Sequence, residues 1–203
     1  MKNIIEKSLE NSYTYQEFRD LVSHLLTEDK STGHTQSEAI TGFSLLNDRR
    51  MKRLDKTIKV SEETIAEMNT ISEPQTWLVI AEGWCGDAAQ NLPVINKIAE
   101  TSNLIDFKVV LRDDNEDLMN LFLTNGGKAI PKLIALDKDN NVIDTWGPRP
   151  TVASKMVADY KAEHGVIDAK FKQDLQVWYN KDKGLSVQDD FVKLVKNLQA
   201  KEA

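Results

Sequence analysis

Apolar positions recur at helical spacing through the first part of the chain. Phe18, Leu21, Val22 and Leu25 share one helical face, and Thr14 with Glu17 forms a capping-box pair ahead of them. That pattern predicts a helix from Thr14 to about Leu26. Gly33 marks a break. Ala39, Phe43, Leu46, Arg50 and Leu54 then fall on overlapping faces and predict a second helix from Thr35 to about Leu54, weakened at Gly42. Thr57–Val60 reads as a short strand, and Ser61 as the cap of a helix that carries Ile65 and Met68.

The periodicity changes after Glu73-Pro74-Gln75. Thr76-Trp77-Leu78-Val79-Ile80-Ala81 is a continuous apolar run of strand length, the pattern of a strand buried on both faces. A helix is predicted from near Cys85 through Ile98. Phe107–Leu111 is the next strand, and Asp113 to Asn125 reads as a helix ending at Gly126-Gly127. Lys132–Leu136 and Val142–Trp146 form a hairpin about a turn at Lys138–Asn141. Three helices follow: Thr151 to about His164, Ala169 to about Asn180, and Ser186 to about Leu198. Alternating strands and helices imply a layered α/β core. The expected organisation is a helical N-terminal extension over 1–56, a core over 57–165, and a C-terminal helical addition over 166–203 packed on that core.

Composition narrows the function classes. Apolar residues at 40% and charged residues at 29% are ordinary for a globular chain, and no stretch has the apolar length of a membrane span. A net charge of -6 leaves no strong basic footprint, so no nucleic-acid partner is expected. The run Arg49-Arg50-Met51-Lys52-Arg53 reads as a solvated helix face. Met1 to Glu6 lacks the apolar core of a signal peptide, so a cytoplasmic location without membrane association is expected. The acidic run Asp113, Asp114, Glu116 and Asp117 reads as helix capping and solubility. His24, His34 and His164 read as surface or structural residues.

The chain has one cysteine, Cys85, in the run Trp84-Cys85-Gly86-Asp87-Ala88. One thiol attacks a disulfide but closes none within the chain. A single cysteine and no histidine pair also give no ligand set for a metal, and no cofactor is expected. Cys85 follows a buried-type strand and stands at a helix start. Free N–H groups and the helix dipole there favour an anion, so the placement predicts a stabilised thiolate. Asp87 opposes that through like charge, or caps the helix facing solvent.

These residues resemble the thioredoxin family. Trp84-Cys85-Gly86-Asp87-Ala88 is similar to the family's Trp-Cys-Gly-Pro-Cys run, and Pro93 matches the proline of the active-site helix. Ile130-Pro131 resembles the cis-proline segment, and Gly147 the glycine near the substrate groove. The resemblance runs from about Thr57 to Tyr160, and the whole is similar to bacterial thioredoxin-like proteins with a Cys-Gly-Asp run. It implies a thioredoxin-like α/β fold, a central mixed sheet with flanking helices, extended here by helices at both ends.

The departures bear on chemistry. Ala88 stands where the family has its resolving cysteine, Asp87 replaces the intervening proline, and Val79 stands where a buried aspartate is usual. Lys132 replaces the small residue after the cis-proline. The resemblance therefore implies a monothiol thiol–disulfide oxidoreductase: Cys85 as nucleophile, an external resolving thiol, and a protein or small-molecule thiol or disulfide as partner. Trp84, Gly86, Asp87, Ala88, Pro131, Lys132 and Gly147 would form the groove and its support. Lys132 would pair with a substrate carboxylate or reach back to the thiolate. The alternative is a non-catalytic binding or adaptor module on the same fold, with Cys85 as a small packing residue.

Overall fold

The computed structural model describes residues 1–202. The element order is α1 (Lys2–Glu10), β1 (Tyr13–Thr14), α2 (Tyr15–Thr27), α3 (Glu38–Thr57), α4 (Glu62–Met68), β2 (Gln75–Ala81), α5 (Gly86–Ala99), β3 (Ile105–Leu111), α6 (Glu116–Leu121), β4 (Lys132–Leu136), β5 (Val142–Trp146), α7 (Thr151–His164), α8 (Ala169–Asp182) and α9 (Leu185–Glu202). The sheet runs β1-β3-β2-β4-β5. β2 and β3 are parallel, with Val79 opposite Val109, while β4 and β5 continue antiparallel from β2. This is a thioredoxin-like mixed sheet with flanking helices and further helices at both ends.

Local chemistry accounts for the element starts. Thr14 caps α2 as a full capping box with Glu17, which satisfies donors at both ends of the first turn. The apolar run of β2 is central in the sheet, and Trp77 to Ala81 are wholly buried. Trp77 packs against Phe191 of α9 with ring centroids 4.8 Å apart, and Phe191 meets Trp146 at 5.5 Å.

Both ends of the chain build the core. Ile5, Phe18, Val22 and Met51 from the N-terminal part join the same buried cluster as Val187, Phe191, Val195 and Leu198 of α9. A second, separate apolar cluster joins Ala153 and Val157 of α7 to Phe171, Leu175 and Tyr179 of α8.

Three sequence expectations are corrected. Thr57–Val60 is not a strand: Thr57 ends α3, and the backbone beyond it is held by Gln188 of α9, which accepts from Ser61 N–H and donates to the Lys59 carbonyl. The helix expected over Asp113 to Asn125 shrinks to α6. Asp113 is drawn off by Arg112 and the His34 N–H, and Asn125 turns the chain at φ 50°. The N-terminal part is not wholly helical, because Tyr13 and Thr14 pair with β3 at the sheet edge.

Candidate thiol site

β2 delivers the chain into the loop Glu82-Gly83-Trp84, and Cys85 is the N-cap of α5. Its sulfur accepts the Ala88 N–H at 3.4 Å and its S–H donates to the Ile130 carbonyl at 3.3 Å. The Ile130–Pro131 peptide is cis, as is Gly147–Pro148. Gly147 stands hard against Pro131: at φ 109°, a Cβ there would lie 2.3 Å from the Pro131 carbonyl oxygen. Trp84, Cys85, Gly86, Asp87, Ala88, Pro131 and Gly147 are thereby gathered around the start of α5. Ala88 and Val79 are both buried in the apolar core.

Asp87 does not face solvent. Its carboxylate pairs with Arg149 at 2.6 Å and accepts the Tyr179 hydroxyl at 3.0 Å. Around it, Gln90 donates to Gln176 at 2.9 Å and the Asn91 amide reaches the Tyr179 oxygen at 3.4 Å. From the other side, the Gly83 N–H donates to Thr32 at 2.8 Å, the Asn47 amide donates to the Gly83 carbonyl at 3.0 Å, and Arg50 donates to Asn47. Arg50 and Gln176 both stand over Gly86. The Arg112 guanidinium lies 4.8 Å from the Trp84 ring centre. Both chain extensions thus cover the start of α5.

Burial works against the expected thiol chemistry. The Cys85 thiol is pushed up to about 12, chiefly by burial and next by the Asp87 carboxylate. The Ala88 and Asp87 N–H groups and Arg149 act in the opposite direction and do not prevail. In this closed arrangement burial therefore opposes the thiolate that the helix start favours. Removing water from an anion outweighs the partial charge of a helix terminus. Burial also raises the Asp87 carboxyl, with Arg149 and Tyr179 opposing it. Lys132 is half-buried, its amine lowered by burial, and its charged neighbour is Asp144. The cation that acts on the thiol is Arg149 rather than Lys132.

Arg149, Gln176, Thr32, Asn47 and Tyr179 are site residues that sequence reading does not single out. One local signal pointed to Arg149: it sits in Gly147-Pro148-Arg149-Pro150, where two proline rings restrict the backbone around one charged side chain. Among the described residues, no group of three or more His, Cys, Asp or Glu side chains is placed to hold a metal ion. No helix among them is long and apolar enough to cross a membrane.

The family described as thioredoxin matches residues 33–161. No curated protein matches the chain. Two solved structures share its fold. A protein of unknown function from Pseudomonas aeruginosa aligns at 16% identity and a TM-score of 0.55, covering 91% of this chain and 98% of that one. An HIV epitope-scaffold aligns at 18% identity and a TM-score of 0.54, covering 91% of this chain and 99% of the scaffold. At those identities the two likenesses speak for architecture alone.

Proposed function

The chain belongs to the thioredoxin family, and on that premise we propose that it is a single-thiol redox protein with Cys85 as its nucleophile. The observation that supports this is the seat of the sulfur. It lies on the first free N–H groups of α5, against the Ile130 carbonyl beside Pro131, with the methyl of Ala88 where an internal resolving thiol would stand. Once water reaches it, the same N–H groups and Arg149 favour the thiolate.

The chemistry then runs through two exchanges. The Cys85 thiolate attacks one sulfur of a protein or small-molecule disulfide, a Cys85 mixed disulfide forms, and the other sulfur leaves as a thiolate. An external thiol then attacks the Cys85 mixed disulfide, and Cys85 leaves as the thiolate. The external thiol departs in a disulfide with the group Cys85 had carried, so the cycle passes the disulfide bond from the first partner to the external thiol. A reducing compartment such as the cytoplasm provides that thiol.

Incubation with oxidised glutathione, followed by mass measurement of the intact protein, tests the reading. The expected product is one glutathione added at Cys85, removed by excess reduced glutathione, and absent from Cys85→Ser. A folded protein whose Cys85 takes up no glutathione even at large excess of the disulfide would contradict it. That result would favour the second reading, a binding module in which Cys85 only packs. The observation favouring that reading is the burial of the thiol.

A further inference from the structure

The geometry points to the last turns of α8 as a cap that masks Cys85 when seated and admits reactants to it when lifted. As regulation of the thiol proposed above, it depends on that reading for its purpose but not for its mechanics.

Consider how α8 is held. Its apolar side chains Phe171, Leu175 and Tyr179 pack on Ala153 and Val157 of α7, in a cluster distinct from the core that contains Cys85. Its links to the start of α5 are polar side-chain contacts: Tyr179 to Asp87, Asn91 to Tyr179, and Gln176 to Gln90. A further one joins it to α3, where Arg53 donates to Asn180 at 2.7 Å. Water replaces such contacts at small net cost, whereas an apolar interface is costly to part. α8 is thus seated on the site by the kind of contact that releases most easily.

Turns bound α8 at both ends. Gly165 at φ 76° ends α7 ahead of it, and Lys183 and Gly184 turn the chain at φ 55° and 80° after it. Gly184 also lies close to Val94 of α5, where an added Cβ would be 2.8 Å from a Val94 methyl. That close approach fixes the chain after α8 on the core, so the opening is local to the last turns of α8, with Phe171 and Leu175 left on α7. α9, beyond that fixed point, keeps its place through Phe191 against Trp77. Lifting those turns removes Gln176 from above Gly86 and Tyr179 from Asp87, which opens one flank of the thiol.

Tyr179→Phe with Gln176→Ala tests this, because it removes the polar seat and keeps the apolar cluster. Two readouts are taken on the full chain: hydrogen exchange of α8 amides, and the rate of Cys85 carbamidomethylation by iodoacetamide. The expected result is faster exchange confined to the last turns of α8 and alkylation faster by roughly tenfold or more. In the unaltered protein, alkylation in dilute urea should depend on urea far less steeply than global unfolding does. Amides of those turns that exchange only with global unfolding would overturn the cap. So would faster α8 exchange with no gain in alkylation, since the core alone would then bury the thiol. A variant that alkylates rapidly but takes up no glutathione would leave the cap standing and remove the redox reading instead.

Discussion

Gly147→Ala is expected to destabilise the protein by roughly 3–5 kcal/mol, the sum of a left-handed backbone penalty and a forced displacement of packed structure. Both causes meet at one residue. Gly147 holds φ 109°, which side-chain-bearing residues rarely adopt, and an added Cβ would sit 2.3 Å from the Pro131 carbonyl oxygen. The neighbour is backbone, so it has no rotamer by which to yield. A fall in the urea midpoint on the order of 2 M, at unchanged slope, is the expected readout. Gly126→Ala is the control. It also has a positive φ, 76°, but open space where its Cβ would go, so only the backbone penalty of about 1 kcal/mol applies. Equal losses at the two positions would show that the contact with Pro131 is not what requires glycine.

Arg149→Ala is expected to cost about 2–3 kcal/mol at pH 7, toward the lower end for breaking a buried ion pair because Arg149 keeps some exposure. The loss is mainly the stranding of Asp87, whose side chain is only 12% exposed. Its sign with pH follows from the raised Asp87 carboxyl. A carboxyl raised in the folded state binds its proton more tightly there than in the unfolded chain. Its stabilising contribution is present in acid and is lost as pH rises through the folded value. Removing the cation pushes Asp87 further up. The penalty of Arg149→Ala should therefore shrink as pH is lowered from 7 toward 5, and Asp87→Asn in the same chain should recover most of it. Urea melts of the single and double variants at both pH values measure this. A penalty that grows in acid, or that survives Asp87→Asn, would contradict the pairing.

Much of the scaffold was legible because single residues carry it. The unbroken apolar run into Ala81, of strand length and flanked by Pro74 and Gly83, reads as a buried strand, and Thr14 with Glu17 names its own helix start. The landmarks Cys85, Pro131 and Gly147 lie together in space. What was not legible is what covers the thiol. Tyr179 meets Asp87 across 92 positions, and its apolar spacing in α8 looks the same whether its hydroxyl points to water or to a buried carboxylate. The Cys85 thiol shows the consequence. A helix start is read from local sequence and favours an anion. The burial that defeats it comes from the way distant segments fold over the site, which no local pattern records. β1 escaped notice for a related reason, since two residues at a sheet edge leave no periodicity to read.

The most direct measurement is the pH dependence of Cys85 alkylation in the folded protein, against a Cys85→Ser control and a small thiol peptide. A masked thiol predicts a slow rate with no inflection near the reference of about 8.5. The rate should still be climbing at the highest pH the fold survives, in keeping with a thiol raised to about 12. A fast rate that levels off below the reference value would contradict the account, because it would mean that Cys85 is already an exposed thiolate in the closed molecule.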